Sequence, residues 1–139
     1  MRAEPAVIDT NVVVSGLLTS LAASPTVRIL DGMLVGAFRF LLSVELLAEY
    51  RAVLLRQKIR SRHGLSPKEV DVLLTEIAAN GTFLDVKAPA GAIRGDDHIW
   101  RILAAMPCVL VTGDKRLARH AAGRARVMGP REYAEIVSG

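Results

Sequence analysis

The sequence predicts an α/β fold on a mainly parallel sheet of four to five strands, and three observations predict it. Two short runs, residues 6–8 and 108–112, are apolar on both faces, as strands buried between layers must be. Amphipathic segments with helix-capping signals separate the strand-like runs. Strands and helices alternate along the chain, which implies right-handed βαβ units. The 139 residues, 51% of them apolar, suffice for one domain over 1–139 with a proper core.

The elements follow in order. Residues 6–8 form the first strand, Thr10 and Asn11 can open a helix, and the apolar residues 12–18 continue it to an end near Gly16 or in Thr19-Ser20. Ser24-Pro25 starts the next helix, Ser as N-cap and Pro at the first position, and Gly36 stops it. Residues 38–42 alternate as a second strand. Ser43 caps a helix carrying Leu46, Leu47, Tyr50, Val53 and Leu54. Residues 56–63 are basic and read as an exposed helix end. Ser66 and Glu69 have capping-box spacing for a helix that Asn80-Gly81 ends. Residues 82–86 are a weak third strand and 87–95 a loop. Asp96-Asp97 starts a helix that Pro107 closes, 108–112 is the fourth strand, and a short basic helix follows from Lys115. Residues 126–128 make a fifth strand, and Pro130 opens a last amphipathic helix. No internal repeat, low-complexity tract or domain boundary interrupts the series.

Composition excludes several classes. No apolar run approaches the roughly 20 residues of a membrane helix, and Asp9 and Asn11 interrupt the first apolar stretch, which is no signal segment. One cysteine, Cys108, cannot form an internal disulfide, and it argues for a reducing, cytoplasmic location and against a Cys-based zinc site. The net charge of +4 leans towards an anionic partner.

The chemistry lies in the acids. Asp9 and Asp114 follow the first and fourth strands, at the sheet edge where open α/β folds bind ligands. Asp96 and Asp97 sit at a helix start. At about 100° per residue, Glu49 falls just off the apolar arc of its helix, and Glu45 one step further out. Carboxylates brought to about 4 Å repel by roughly 4 kcal/mol at an effective dielectric near 20. A shared site therefore calls for protonation or a cation, and oxygen ligands suit Mg²⁺ or Mn²⁺.

Four stretches in register, Val7-Ile8-Asp9-Thr10-Asn11, Ser43-x-x-Leu46-x-x-Glu49-Tyr50, Asp96-Asp97 and Val111-Thr112-Gly113-Asp114, resemble the PIN domain. Within that family the chain is similar to the toxin components of VapC-type toxin–antitoxin systems, including the late Gly129-Pro130-Arg131-Glu132-Tyr133. The resemblance implies a three-layer α/β/α sandwich and a Mg²⁺- or Mn²⁺-dependent ribonuclease. It carries catalytic and metal-binding roles onto Asp9, Glu49, Asp96 or Asp97, and Asp114, with Thr10, Asn11 and Thr112 in support. The third acid of the family starts a helix with apolar residues three and seven further on. Asp96 has Ile99 and Leu103 there, whereas Asp97 has Trp100 and Ala104, which favours Asp96. The resemblance also implies an antitoxin partner and a homodimer. For the dimer, the helices at 12–18 and 24–35 add support, being more apolar than one buried stripe requires.

Single-stranded RNA is the expected substrate, with Lys115, Arg116 and Arg119 beside Asp114 as its contacts. A non-catalytic RNA-binding or protein-interaction module on the same fold is the alternative. Four mutually repelling carboxylates argue against it. A phosphotransferase using Asp9 as nucleophile is disfavoured, because haloacid-dehalogenase-like phosphatases place a second Asp two residues on, where this chain has Asn11. His98 and Trp100 read as packed or solvated side chains, not as a proton donor and a base-stacking platform.

Overall fold

The computed structural model describes residues 4–85 and 97–138. The chain runs β1 (Ala6–Ile8), α1 (Thr10–Leu18), α2 (Pro25–Val35), β2 (Leu41–Leu42), α3 (Val44–Leu54), α4 (Gln57–His63), α5 (Pro67–Asn80) and β3 (Thr82–Phe83). It continues with α6 (Asp97–Ala105), β4 (Val109–Val111), α7 (Lys115–Ala121), β5 (Arg126–Met128) and α8 (Pro130–Ser138).

All strand pairs among the described residues are parallel. One sheet has the order β1-β4-β5 and a second pairs β2 with β3. A parallel bridge between Ala6 and Phe40, with the Ala6 N–H donating to the Arg39 carbonyl at 3.0 Å, joins the two into the order β3-β2-β1-β4-β5. The chain steps from β1 to β2 to β3 in one direction, then returns and steps from β4 to β5 in the other. Right-handed crossovers place the helices of those two runs on opposite faces. β1, β2 and β4 are buried throughout, as a sheet covered on both sides requires. The architecture is the α/β/α sandwich expected from the sequence. Direction reverses between β1 and β4, and the crevice beyond their carboxyl ends is where such sheets take ligands.

Local chemistry sets the boundaries. The Ser43 hydroxyl accepts the Leu46 N–H at 3.1 Å. Ser66 and Glu69 complete their capping box at 3.0 and 3.1 Å. Gly36 ends α2 in the left-handed region at φ 69°, which a side chain would resist. β2 and β3 are shorter than the sequence suggests. β2 keeps only residues 41–42, with Phe40 in the bridge, and β3 only 82–83. Leu84 and Asp85 no longer belong to the strand, and residue 86 with the expected 87–95 loop lies outside the described residues.

The basic stretch is also not the exposed end of α3 but a helix of its own. Arg56 turns extended at ψ 136° and opens α4. His63 anchors it: its Nε2 bonds the Leu54 carbonyl at 2.9 Å and its Nδ1 accepts the Leu65 N–H at 2.9 Å. Since Nδ1 accepts, Nε2 carries the proton. The surplus apolar surface of α1 and α2 is used mostly inside the chain. Val12, Val13 and Val14 are buried, as are Ile29, Leu30 and Met33, and α2 packs on both α1 and α8.

Gly16 lets α1 and α2 cross closely. A Cβ there would stand 2.6 Å from the Thr26 carbonyl oxygen and 2.9 Å from the Leu30 Cβ. Helix propensity favours alanine by about 1 kcal/mol, but such overpacking costs about 1–3 kcal/mol or more. Gly16→Ala should lower the melting temperature by several degrees, as read by thermal circular dichroism; an unchanged or raised value would contradict the tight crossing.

Candidate functional site

β1 ends at Ile8, and Asp9 follows as N-cap of α1 with ψ 145°. Its N–H donates to the Val111 carbonyl at 3.0 Å, which sets Asp9 level with the end of β4. An N-cap aspartate normally spends its carboxylate on the helix it opens. Asp9 makes no such bond to α1. Its Oδ2 instead accepts the Thr112 hydroxyl at 2.7 Å, across the reversal point. Both are buried, Asp9 at 6% exposure and Thr112 at 4%.

Asp114 differs. Its N–H donates to Thr112 Oγ1 at 3.0 Å, and its Oδ1 accepts the N–H groups of Arg116 and Leu117 at 2.9 and 3.2 Å. One oxygen thus caps α7 and stabilises it. The bonds fall on Oδ1 alone and leave Oδ2 for other work.

Glu49 comes from the middle of α3. Its Oε2 accepts the Thr10 hydroxyl at 2.5 Å and meets His98 Nε2 at 3.0 Å. Donors on α1 and α6 therefore converge on one carboxylate oxygen of α3. The next residue, Tyr50, is wholly buried, and its hydroxyl donates to the Ile8 carbonyl at 2.6 Å. Burial raises the Tyr50 phenol well above its usual value, and the negative charges of Asp9 and Glu49 raise it further. The phenol stays neutral and holds α3 against the end of β1.

The remaining expected residues fall as follows. Asn11 is exposed in the first turn of α1. On α7, Lys115, Arg116 and Arg119 are exposed. Asp97 opens α6, while Asp96 and the Asp97 side chain lie outside the described residues. Among the described residues no three His, Cys, Asp or Glu side chains are grouped to hold a metal. Asp9 and Glu49 are brought to the same strand end, and Asp114 is not drawn into one cluster with them.

His98 reads from the sequence as a packed or solvated side chain. It is packed, at 5% exposure, but on an acid of the site. A signal existed: His98 precedes the buried Ile102 by four residues, which sets both on one face of α6. Trp100 is partly buried under the Arg124 guanidinium, 4.6 Å from the ring centre, which accounts for it without a base to stack on. Cys108 is buried at the start of β4, the opposite strand end from Asp9, and burial first, then Glu4, pushes its thiol up to about 11. It is no nucleophile.

Against known proteins, the PIN domain model matches residues 5–116. The chain belongs to the PIN-domain family. No curated protein matches it. PIN domains are a nuclease fold, and PIN nucleases generally use divalent metal ions. Two donors at the β1 end have the chemistry such an ion takes: Asp9 and Glu49 offer hard oxygen ligands, and both load negative charge onto the buried Tyr50. β5 and α8 of the PIN sandwich lie beyond the matched residues.

Tyr50 gives the site a pH signature. In the unfolded chain the phenol ionises near its ordinary 10.0, but in the folded protein only well above it. The unfolded state therefore releases a proton first, and stability present below pH 10 is lost as pH rises past it. Tyr133, raised to about 12 by burial, adds to the same slope. Tyr50→Phe should cost about 1–3 kcal/mol at neutral pH by leaving the Ile8 carbonyl unpaired. It should also flatten the fall in denaturation midpoint between pH 9 and 11. An unaltered slope would mean that Tyr50 titrates as freely as in the unfolded chain.

Proposed function

We propose that this PIN-domain protein is a Mg²⁺- or Mn²⁺-dependent endoribonuclease that cuts single-stranded RNA, the toxin of a toxin–antitoxin pair. The observation that carries the reading is the pairing of Asp9 and Glu49 at the β1/β4 reversal, each oriented by a buried threonine hydroxyl. Asp9, Glu49 and Asp114, with Asp96 or Asp97 as the further acid, would hold the cation. A bound divalent cation supplies Lewis acidity at the phosphoryl group and lowers the pKa of an attacking water. The chain's own groups orient the ligands. Thr112 fixes Asp9, Thr10 fixes Glu49, and the α7 cap fixes Asp114. Tyr50 sets the height of α3 relative to β1. Hydrolysis of this kind asks for no protein nucleophile.

A homodimer and an antitoxin protein belong to the same reading. Both rest on the resemblance to VapC-type toxins, since α1 and α2 use most of their apolar surface internally. Leu21 and Val35, at 71% and 76% exposure, are the large apolar side chains left open beside them.

Cleavage of a mixed RNA pool tests the function. Wild-type protein should cut with Mn²⁺ and stop cutting with EDTA. Asp9→Asn and Glu49→Gln should abolish cleavage with melting curves intact, and Glu45→Gln should leave it nearly unchanged. Metal-independent cleavage, or loss with Glu45→Gln but not Glu49→Gln, would overturn the assignment.

The path of the RNA has its own test. α7 leaves from the Asp114 end of β4, so Lys115, Arg116 and Arg119 stand at the rim of the site, where an acidic floor needs basic help to admit a phosphate chain. In metal-free Asp9→Asn protein, Lys115→Ala with Arg116→Ala should weaken binding of a short RNA. For every phosphate that a removed cation had neutralised, the slope of log K against log salt should become shallower by about 0.7. Arg60→Ala with Arg62→Ala should change it less; flattening by this second pair alone would put the RNA path over α4.

A further inference from the structure

We infer that His98 is a positioning residue for Glu49, which decides the carboxylate oxygen that Glu49 presents to a cation. The inference rests on the metal-nuclease reading above and extends it to a residue outside the acidic set. A carboxylate only accepts, so His98 Nε2 carries the proton and donates to Glu49 Oε2 at 3.0 Å. The Thr10 hydroxyl donates to the same oxygen. An ionised carboxylate offers about two lone-pair sites per oxygen, so two donors fill Oε2 and leave Oε1 for a metal.

The burial contrast supports a positioning role. The His98 side chain is 5% exposed and that of Glu49 35%. A long side chain partly in solvent keeps its rotamer freedom unless something fixes it, and ordering it costs up to about 2 kcal/mol. The buried ring is held in place, because Ile99 and Ile102 beside it in α6 are in the core. His98 therefore serves as the rigid partner. It comes from α6, the helix that leads into β4, and Thr10 comes from α1. The oxygen is gripped from two independent elements. Partners behind a metal ligand typically shift affinity by about 10–100-fold when removed.

The test is Mn²⁺ binding by the full chain without RNA, followed by electron paramagnetic resonance of the free ion. His98→Ala should weaken binding about tenfold or more. His98→Gln keeps an amide donor with the reach of Nε2 and should stay near wild type. His98→Asn is too short to reach Glu49 and should fall with alanine; it takes the place of the alanine variant if that does not fold by circular dichroism. In a Glu49→Gln background, His98→Ala should bring little further loss, because the effect passes through Glu49. Wild-type affinity in His98→Ala, loss in His98→Gln equal to that in His98→Ala, or a full second loss in the Glu49→Gln background would each overturn the inference while the nuclease reading stands. Wild-type protein that binds no Mn²⁺ would overturn both.

Discussion

The parallel pairing of β1 with β4 is the constraint from which the site follows. Its register sets Ile8 against Val111, so the two strands leave the sheet side by side. From that point one leads into α1 and the other towards α7. Among the described residues, the first to follow the two strand ends are Asp9 and Thr112. The hydroxyl–carboxylate bond between them closes the gap and directs Asp9 away from the helix it caps. α3 is then fixed relative to this pair by Tyr50, which reaches back to the last carbonyl of β1.

Two kinds of acid emerge from the same residue type. Asp114 does what an aspartate before a helix ordinarily does, giving one oxygen to two backbone N–H groups of α7. Asp9 holds the equivalent place before α1 and does not. The difference lies in the neighbour: Thr112 offers a donor across the reversal, and the backbone of α1 is left to find its own partners. Position at a strand end alone does not tell how an acid is held; the direction of its hydrogen bonds does.

Much of this is legible in the sequence because it is written in local chemistry. The runs that become β1 and β4 are apolar on both faces, and the caps at Ser43 and Ser66 lie where their side chains predict. Glu49 stands out from Glu45 by its place beside the apolar arc, and it is the glutamate that reaches Thr10 and His98. The central strands carry this signal because both their faces are buried. β2 and β3 are two residues long, and two residues show no period. The break before α4 is hidden because Leu55-Arg56 contains no glycine or proline; the turn there depends on His63 bonding back to Leu54. His98 escapes a sequence reading for a related reason. Its role comes from a glutamate 49 positions earlier in the chain, a distance no local pattern spans.

The last two elements of the chain serve the fold in another way. The Arg28 guanidinium of α2 donates to the Ala134 carbonyl of α8 at 2.9 Å, and Tyr133 meets Phe38 edge-on at 5.3 Å. β5 pairs along the whole of β4. Ending the polypeptide at residue 116, where the family match stops, would strip both away. β4 would become an edge with its row of amide and carbonyl groups open, an invitation to intermolecular strand pairing. The surface of α2 under α8 would meet water. The folded unit therefore runs past the matched residues, and its last two elements cover the hydrophobic interior and brace the end of β4, where the Thr112 N–H donates to the Met128 carbonyl at 3.1 Å.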